Sequence, residues 1–390
     1  MAQTPDTGTI LATKPIELGL DLGNAIRWAA RERGISRLRL TLDILRRNRN
    51  HQGLLPKQYF SFGLHRVEMS DRQRDDFIGI NATRALTAAL GPPPLDGFTG
   101  LLRNKAMTAL VLERMRIPTT QIHAVFARDG LTGPWPHLRT AQDIEGFLGS
   151  EGALPVYGKP MNGSLSVGIV SIMARAGRNE VVLGDGRTVS AAALAREIEA
   201  AYPDGYLFQE VLQPHAELER LSGPALASLR VVTLWDAGGA SVLFTAMRLP
   251  SPGAMSDDGT VGTGNATLCI DCATGRVERA QGSKNPGTGM LNVAPVTGAP
   301  LLGAMLPDWQ GAMDLACNAH AVFSVHGLLG FDIALTTRGP VINEINGFPQ
   351  HSLFQRSSGR GFLNPEIRPR LLAALAARGV AKRGKGMPLP

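Results

Sequence analysis

Three oxygen-donating side chains lie in one short apolar segment of the sequence, residues 331–347 (FDIALTTRGPVINEING). They are Asp332, Glu344 and Asn346. Two carboxylates that face each other across a sheet repel, and a hard cation that prefers oxygen ligands turns this repulsion into coordination. The apolar neighbours argue against the alternative, a hairpin whose acids meet only solvent. The segment therefore predicts a site for a divalent cation.

The spacing of these residues predicts how a β-hairpin arranges them. Residues 337–339 suggest a three-residue loop, because the glycine at its end readily adopts a positive φ angle. In a hairpin symmetric about Arg338, Asp332 lies directly opposite Glu344. Asn346 then shares a face with Glu344, since side chains alternate along a strand.

A second candidate segment, GKPMNGSLSVGI at 158–169, joins two predicted strands through a loop of small residues. Glycine lets backbone N–H groups converge on phosphate oxygens, and the hydroxyls of Ser164 and Ser166 add donors. Lys159, at the end of the first strand, supplies a positive charge for the same phosphates. An ordinary loop is the alternative, because one such motif is weak evidence.

A third segment, YLFQEVLQPHAE at 206–217, is an apolar strand that ends in Gln209 and Glu210. Such a strand end offers adenine an apolar slot and hydrogen bonds to the edge of the base. Glu217, seven residues after Glu210, can accept hydrogen bonds from ribose hydroxyls. Taken alone, these residues also fit an ordinary strand end.

The bulk composition is that of a folded, globular protein. The chain has 390 residues, 44% of them hydrophobic and 19% charged, which predicts two or three lobes with substantial cores. No run approaches the roughly 20 apolar residues of a membrane-spanning helix. Residues 1–15 lack the features of a signal peptide, and three cysteines make no disulfide framework, so we expect a cytoplasmic location.

Residues 31–50 carry much of the net charge of +7, with seven arginines against one glutamate and one aspartate. Such a segment can bind phosphate backbones or acidic lipid surfaces. The helical spacing of Ile35, Leu38, Leu42 and Leu45 predicts instead a helix that buries these residues and leaves its basic side in solvent. Because the chain has no zinc-finger or recognition-helix signature, no nucleic-acid partner is expected.

The order of these segments resembles the ATP-grasp superfamily, and more closely its sugar-transfer-associated branch, found near exopolysaccharide genes. The resemblance covers roughly residues 50 to 370. Eight motifs carry it, in the order of the family: LLPKQYFSFGL, NKAMTALVLERMRIPT, GKPMNGSLSVGI, FQEVLQPH, SLRVVT, LPDWQGAMDLA, LGFDIALTTRGPVINEING and FQRSSGRGFLNP. It implies an α+β protein with the ATP-grasp fold, in which two α+β lobes grip ATP behind a mostly helical N-terminal region.

The resemblance also implies a division of the chain, with the rigid loop GPPPLDG closing the N-terminal region. The expected parts are a flexible N-terminus (1–16), a helical region before the grasp (17–97), a linker helix with first-lobe elements (98–154), a small lobe with the phosphate loop (155–213), a large lobe with the Mg²⁺ site (214–375) and a flexible basic tail (376–390).

Roles for individual residues follow from the resemblance. The residues implied to bind the phosphates of ATP are Lys105, Lys159, Asn162, Gly163, Ser164 and Ser166. Those implied to contact adenine are Gln209, Glu210 and Leu212, with Glu217 at the ribose. The implied ligands of Mg²⁺, or of Mn²⁺ in its place, are Asp332, Glu344 and Asn346. Arg230 and Arg248 match arginines that face the transferred phosphate or the acyl-phosphate. Residues 256–268 depart from the family's pattern, which leaves the acceptor side of the pocket open.

The implied reaction is that of an ADP-forming ligase, which activates a small-molecule carboxylate as an acyl-phosphate and joins it to an amine, less often to a hydroxyl or thiol. Polysaccharide or secondary-metabolite biosynthesis is the implied setting, and a homodimer is left open. Three alternatives remain: a kinase acting on a small-molecule hydroxyl, a non-catalytic ATP-binding partner of a glycosyltransferase system, and a basic RNA- or membrane-binding protein. The intact set of lysines and metal ligands favours an active enzyme.

Overall fold

The computed structural model of the chain describes residues 9–13, 20–92, 98–130, 133–163, 166–251, 265–282, 289–380 and 388–389. These residues form thirteen helices: α1 (Leu22–Glu32), α2 (Arg37–Arg49), α3 (Pro56–Ser61), α4 (Asp71–Asp75), α5 (Ile80–Leu90), α6 (Phe98–Arg103), α7 (Lys105–Arg114), α8 (Ala141–Gly149), α9 (Ala191–Ala201), α10 (Ala216–Ser222), α11 (Trp309–Val322), α12 (Ser352–Ser358) and α13 (Ile367–Ala377). None of them is long and apolar enough to cross a lipid bilayer.

The same residues form thirteen strands: β1 (Ile122–Phe126), β2 (His137–Leu138), β3 (Val156–Pro160), β4 (Val170–Arg175), β5 (Glu180–Leu183), β6 (Thr188–Ser190), β7 (Tyr206–Glu210), β8 (Ser228–Asp236), β9 (Gly239–Leu249), β10 (Ala266–Ile270), β11 (Val277–Gly282), β12 (Leu328–Thr336) and β13 (Gly339–Asn346). They pair into two sheets, so the chain is an α+β protein with two sheet-containing lobes, as predicted.

The first sheet has seven strands in the order β2-β1-β7-β3-β4-β5-β6, antiparallel except for the β1–β2 pair. Helices α8 and α9 share a core with it, in which apolar residues such as Ile144 and Ile198 meet Phe126 and Phe208 of the strands. The sheet begins at β1, so it includes elements on both sides of the boundary at residue 155. Its central strand β3 carries Lys159.

The second sheet has six antiparallel strands in the order β11-β10-β9-β8-β12-β13. Side chains alternate across it: Val231 and Phe331 join the core that contains α11, and the intervening residues Arg230 and Asp332 point to the other face. Strand β12 is buried along its whole length, because β8 and β13 pair with its two edges, the α11 core covers one face and the first lobe lies over the other. This enclosure explains the nearly continuous apolar run of the sequence at this strand.

The hairpin β12–β13 differs from the predicted one in its turn. Thr336 pairs directly with Gly339, which has a φ angle of +95°, so the connection has two residues and the three-residue loop is wrong. The pairing of Asp332 with Glu344 is nevertheless confirmed, because a β-bulge at Asn343 inserts the additional residue further along β13.

The N-terminal region is helical, as predicted, but α2 presents the opposite side to the core from the one expected. Leu38, Leu42 and Leu45 are 70%, 57% and 40% exposed. The residues of α2 that are buried are Leu40, Ile44 and Arg47. The prediction that the leucine stripe beginning at Leu38 faces inward is therefore wrong.

A buried charge explains this orientation of α2. The guanidinium group of Arg47 is fully buried and donates hydrogen bonds to Asp43 at 3.0 Å, Gln52 at 3.1 Å and Asp75 at 2.6 Å. A buried arginine without such partners is costly, so this network sets the rotation of α2 about its axis.

The strand that carries Lys159 depends on a close approach at Gly158. A Cβ atom at this position lies 2.7 Å from the ring of Tyr206 and 3.0 Å from Val170. Tyr206 is fully buried and donates to the carbonyl of Gly168 at 2.7 Å, so it also anchors the end of the phosphate loop.

We predict that Gly158→Ala lowers the free energy of unfolding by about 1–3 kcal/mol, because the added methyl group overpacks a rigid site. Urea unfolding of the variant and the native protein measures this. Gly177→Ala is the matched control, since a Cβ atom there meets no atom within 4 Å. Equal losses in the two variants contradict the close-packing argument.

Candidate active site

A polar cleft of about 270 Å³ lies where the two sheets face each other. It is lined by β3 and the loop after it, by the open face of the second sheet and by α12. The predicted site residues that line it are Lys105, Lys159, Gly163, Ser166, Arg230, Arg248, Asp332, Glu344 and Asn346. Folding thus brings together residues from distant parts of the sequence.

Lys105 is the first residue of α7, which begins where the Asn104 side chain accepts a hydrogen bond from the backbone N–H of Met107. Its ammonium group donates to the carbonyl oxygen of Gly163 at 2.7 Å and lies 3.8 Å from Glu344 Oε1. Lys105 therefore connects the predicted phosphate loop to the acidic hairpin.

Lys159 is buried, and its ammonium group donates to both oxygens of one residue, Asn343. The distances are 3.3 Å to the backbone carbonyl and 3.2 Å to Oδ1. Burial lowers the pKa of Lys159 to about 7, and the nearby charge of Glu344 counteracts this only in part. Each ligand phosphate oxygen that approaches this group favours its charged form.

Asn343 is a residue of the cleft that the sequence analysis missed. Its Oδ1 also accepts from Gln209 Nε2 at 3.3 Å and from Thr120 Oγ1 at 3.4 Å, so it joins the two lobes. Strict alternation places Asn343 and Glu344 on opposite faces, whereas the bulge lets both line the cleft. A bulge leaves no periodic signal, so only the unusual asparagine in an apolar strand hinted at this role.

Asp332 and Arg230 form a bidentate ion pair on adjacent strands. Arg230 donates to the two carboxylate oxygens of Asp332 at 2.5 and 3.0 Å, and Asn346 Nδ2 donates to Asp332 Oδ2 at 3.1 Å. Burial by itself raises the pKa of Asp332, but the charges of Arg230 and Arg248 outweigh it and hold the pKa below its usual value. Asp332 is therefore an anion that faces the cleft.

The chemistry of these donors fits a hard cation. Two carboxylates, Asp332 and Glu344, and the amide oxygen of Asn346 are the ligand types that Mg²⁺ prefers. The ion pair with Arg230 leaves acceptor positions on the Asp332 carboxylate for a cation, because a carboxylate offers about four such positions. Within the described ranges, no group of three or more His, Cys, Asp or Glu side chains forms a metal cluster. The Mg²⁺ role of Asp332, Glu344 and Asn346 stays a prediction.

A second, more apolar cavity of about 300 Å³ adjoins the polar cleft. The two share Tyr157, Ser228 and Asn343 as walls. Three residues predicted to contact adenine line this cavity: Gln209, Glu210 and Leu212. Its apolar walls include Met173, Leu226, Ile333 and Ala334.

The side chain of Glu210 is held in place rather than free to turn. Its Oε1 accepts from the backbone N–H of Gln121 at 2.8 Å and also pairs with Arg338. The hairpin turn of the second sheet is thereby tied to the end of β7 in the first. The adenine role of Glu210 stays a prediction.

Two of the predicted residues lie outside this group, and one falls outside the described part of the chain. Asn162 is exposed and Glu217 is exposed on α10, and neither lines the cleft or the apolar cavity. Ser164 lies outside the described residues, as does most of the segment 256–268. The roles of these residues stay predictions.

Helix α12 forms one wall of the cleft with Ser352 and Arg356. Its buried Gln355 exchanges hydrogen bonds with both backbone groups of Ile78 at 2.9 Å, which fixes α12 to the N-terminal helical region. His351, five residues after the end of the hairpin, stacks on Phe362 inside the core. Burial lowers the pKa of His351 to about 3, so it is neutral and structural.

The low pKa of Lys159 predicts a pH dependence of stability in protein without metal or nucleotide. The pKa is about 7 in the folded state and about 10.4 in the unfolded state, so between these values the unfolded state binds the additional proton. The free energy of unfolding therefore rises as pH increases from about 7 to 10, by as much as about 1.4 kcal/mol per pH unit. Urea unfolding in EDTA measures this rise, which Lys159→Met removes. The exposed-lysine control Lys57→Met retains it, and parallel pH profiles for all three proteins contradict the assignment.

Comparison with known proteins gives similar folds at low identity. Solved structures with similarity include D-alanyl-alanine synthetase A from Vibrio cholerae (13% identity, TM-score 0.44, 75% of this chain and 69% of that chain), L-amino acid ligase from Bacillus licheniformis (14%, 0.40, 73% and 50%) and N5-carboxyaminoimidazole synthase from Aspergillus clavatus, in complex with ADP (13%, 0.36, 70% and 51%). The chain spans about half the length of the last two. Identities and TM-scores of this size carry no conclusion about activity. No curated protein matches the chain in sequence.

The family evidence is stronger. The family described as sugar-transfer associated ATP-grasp matches residues 98–368, more than half of the chain. The match covers both sheets and every residue of the polar cleft named above. The chain belongs to the sugar-transfer-associated ATP-grasp family.

Proposed function

We propose that the protein is an ATP- and Mg²⁺-dependent ligase that activates a small-molecule carboxylate as an acyl-phosphate and joins it to an amine, with release of ADP. One observation carries the proposal: an apolar cavity adjoins a polar cleft that holds two lysines, three arginines and a carboxylate pair. The apolar cavity suits the base of a nucleotide, and the polar cleft beside it suits the phosphates and the reacting groups.

The nucleotide fits with its base in the apolar cavity and its phosphates in the polar cleft. Gln209 and the backbone around Glu210 supply hydrogen-bonding groups at the edge of the base. The shared wall at Tyr157 and Asn343 marks the passage from base to phosphates. Lys105 and Lys159 then neutralise phosphate charge from the side of the first sheet.

The cation site lies on the opposite side of the phosphates, on the hairpin. Asp332, Glu344 and the amide oxygen of Asn346 would hold Mg²⁺. A cation held there would supply positive charge that offsets the negative charge developing during phosphoryl transfer. Arg230, fixed by Asp332, presents a permanent positive charge beside this position.

The cleft extends beyond the phosphate end. Its lining runs across the second sheet from Glu344 on β13 to Gln281 on β11, five strand spacings of about 4.8 Å, or about 24 Å in all. The far end presents hydrogen-bonding and cationic side chains: Arg248, Thr267, Gln281, Gln350, Ser352 and Arg356. Among the described lining residues, Asp332 and Glu344 are the carboxylates, and both lie at the phosphate end. We therefore assign the far end to a polar, anionic substrate.

The chain's residues act mainly by positioning and charge stabilisation. A substrate carboxylate oxygen attacks the γ-phosphorus, and the bond to the β-phosphate oxygen breaks to release ADP. Arg230 and Arg248 stabilise the negative charge on the transferred group. An amine nitrogen then attacks the acyl carbon and phosphate leaves, so no side chain of the protein needs to act as a nucleophile. The family's link to sugar transfer supports an acid from cell-surface polysaccharide or secondary-metabolite assembly, in the cytoplasm where ATP is available.

We expect ATP to raise the melting temperature more with Mg²⁺ than with EDTA, because the cation completes the phosphate site. Glu344→Gln should fold normally, since it relieves repulsion with Asp332. It should slow ADP formation by about 10²–10³-fold through loss of a charge-stabilising ligand. Thermal-shift titration and an ADP-release assay with pooled carboxylic acids and amines measure both effects. The exposed-acid control Glu180→Gln should change neither, and near-normal ADP formation by Glu344→Gln contradicts the metal site.

Hydroxylamine distinguishes a ligase from a kinase that uses the same nucleotide site. With an acid substrate and MgATP but no amine, we expect hydroxylamine to capture the acyl-phosphate as a hydroxamate in amounts equal to the ADP formed. Iron(III) colorimetry with mass spectrometry detects the product. ADP formation with a phosphorylated hydroxyl product and no hydroxamate favours the kinase and rejects the ligase.

A further inference from the structure

Helix α2 carries two apolar stripes, and the one that faces away from the protein has no role in the proposed reaction. Leu40 and Ile44 pack in the N-terminal core. Leu38, Leu42 and Leu45, spaced four and three residues apart, form a continuous ridge on the outer side of the helix. Their exposures of 70%, 57% and 40% are high for leucine on the surface of a folded protein.

The exposed charged residues of α2 that flank this leucine ridge are all arginines. The other exposed residues of α2 are Arg37, Arg39, Arg46 and Arg49. The acidic residue of α2, Asp43, is mostly enclosed: its carboxylate accepts from the Tyr59 hydroxyl at 2.9 Å, from Arg47 at 3.0 Å and from the exposed Arg46 at 3.2 Å. The outer surface of α2 therefore combines leucine with arginine and presents no carboxylate of its own.

The ridge cannot turn inward without breaking the buried network of Arg47. That guanidinium group bonds to Gln52 and Asp75, outside the helix, as well as to Asp43. Rotation of α2 would expose Leu40 and Ile44 and leave these carboxylates without their partner. The outward placement of the leucines is thus a property of the folded region, on a helix that begins with a Ser36 cap.

We propose that the outer face of α2 docks the protein onto a lipid bilayer that contains anionic lipids. A single convex ridge of leucines suits the boundary between headgroups and acyl chains, whereas a partner protein usually offers a groove to such a helix. The flanking guanidinium groups match lipid phosphates in geometry and charge. The helix has 13 residues, too few to span the bilayer, so it lies in the plane of the interface.

A helix as short as α2 needs both its arginines and its leucines to bind a membrane. Each arginine near an anionic surface is worth about 1 kcal/mol, which is about fivefold in binding. Three partly inserted leucines add an apolar contribution that does not depend on lipid charge. The predicted signature is strong binding to anionic vesicles, weak binding to neutral ones, and a decrease as salt is raised.

The test is vesicle co-sedimentation of the full chain with phosphatidylcholine alone and with phosphatidylcholine containing one quarter phosphatidylglycerol. We expect the triple variant Leu38→Ser, Leu42→Ser, Leu45→Ser to lose at least about tenfold in binding to anionic vesicles. The double variant Arg39→Gln, Arg49→Gln should lose a similar amount, about fivefold for each charge. Because all five side chains are exposed, melting temperature should be unchanged.

Matched controls use exposed residues elsewhere. Leu302→Ser with Met305→Ser removes apolar side chains that are 46% and 55% exposed on the large lobe, and Arg175→Gln with Arg178→Gln removes two exposed charges from the small lobe. We expect neither control to change vesicle binding. Controls that lose as much as the α2 variants indicate a general effect of hydrophobicity or charge and overturn the proposal.

Other outcomes also overturn it. One is absence of binding to anionic vesicles. Another is a native dimer, seen by light scattering, that the leucine variant converts to a monomer, which makes the ridge an interface between copies. Binding of duplex DNA or RNA in preference to vesicles rejects the lipid assignment. ADP release does not enter the test, so the docking surface and the proposed reaction can fail separately.

Discussion

The ammonium group of Lys159 is buried between the two lobes, and it donates two hydrogen bonds to Asn343, the residue that interrupts the pairing of β12 with β13. A buried charge needs such partners, so the bulge and the lysine depend on each other. The same asparagine accepts from Gln209 and Thr120, which lie on the side of the first sheet. This contact sets how the lysine-bearing sheet meets the acidic hairpin. The passage between the apolar cavity and the polar cleft lies at this point.

The alternation of side chains along the strands of the second sheet places charged residues in the cleft. Residues of β8 and β12 that point to one side build the core with α11, so the intervening Arg230 and Asp332 must face the cleft. Their direct cross-strand pairing keeps the carboxylate of Asp332 ionised in a buried setting, because the charge of Arg230 lowers its pKa. Five basic and two acidic side chains line the described part of the cleft, an excess that suits a nucleotide and an anionic substrate together.

The buried hydrogen bonds of Arg47 also determine which side chains of α2 lie on the outer surface of the N-terminal region. Arg47 lies on the buried side of α2, whereas the hydrophobic pattern predicted that the side with Leu38, Leu42 and Leu45 is buried, and its three oxygen partners hold it there. The leucines displaced to the outside create an amphipathic basic surface. The same region supports the cleft through the hydrogen bonds of Gln355 to Ile78, so α1–α5 link a surface property to the site.

The sequence by itself determined the α+β class, the family, the helix containing residues 37–49 and the pairing of Asp332 with Glu344. These follow from local periodicity and from motifs whose order along the chain is visible. The tertiary structure decided the two-residue turn, the bulge at Asn343 and the orientation of α2 that buries Arg47. Each of these depends on hydrogen bonds to residues far away in sequence, which stabilise a local arrangement that periodicity disfavours. Alternation and helical spacing describe which residues share a face, but only the partners available across the fold determine which face is buried.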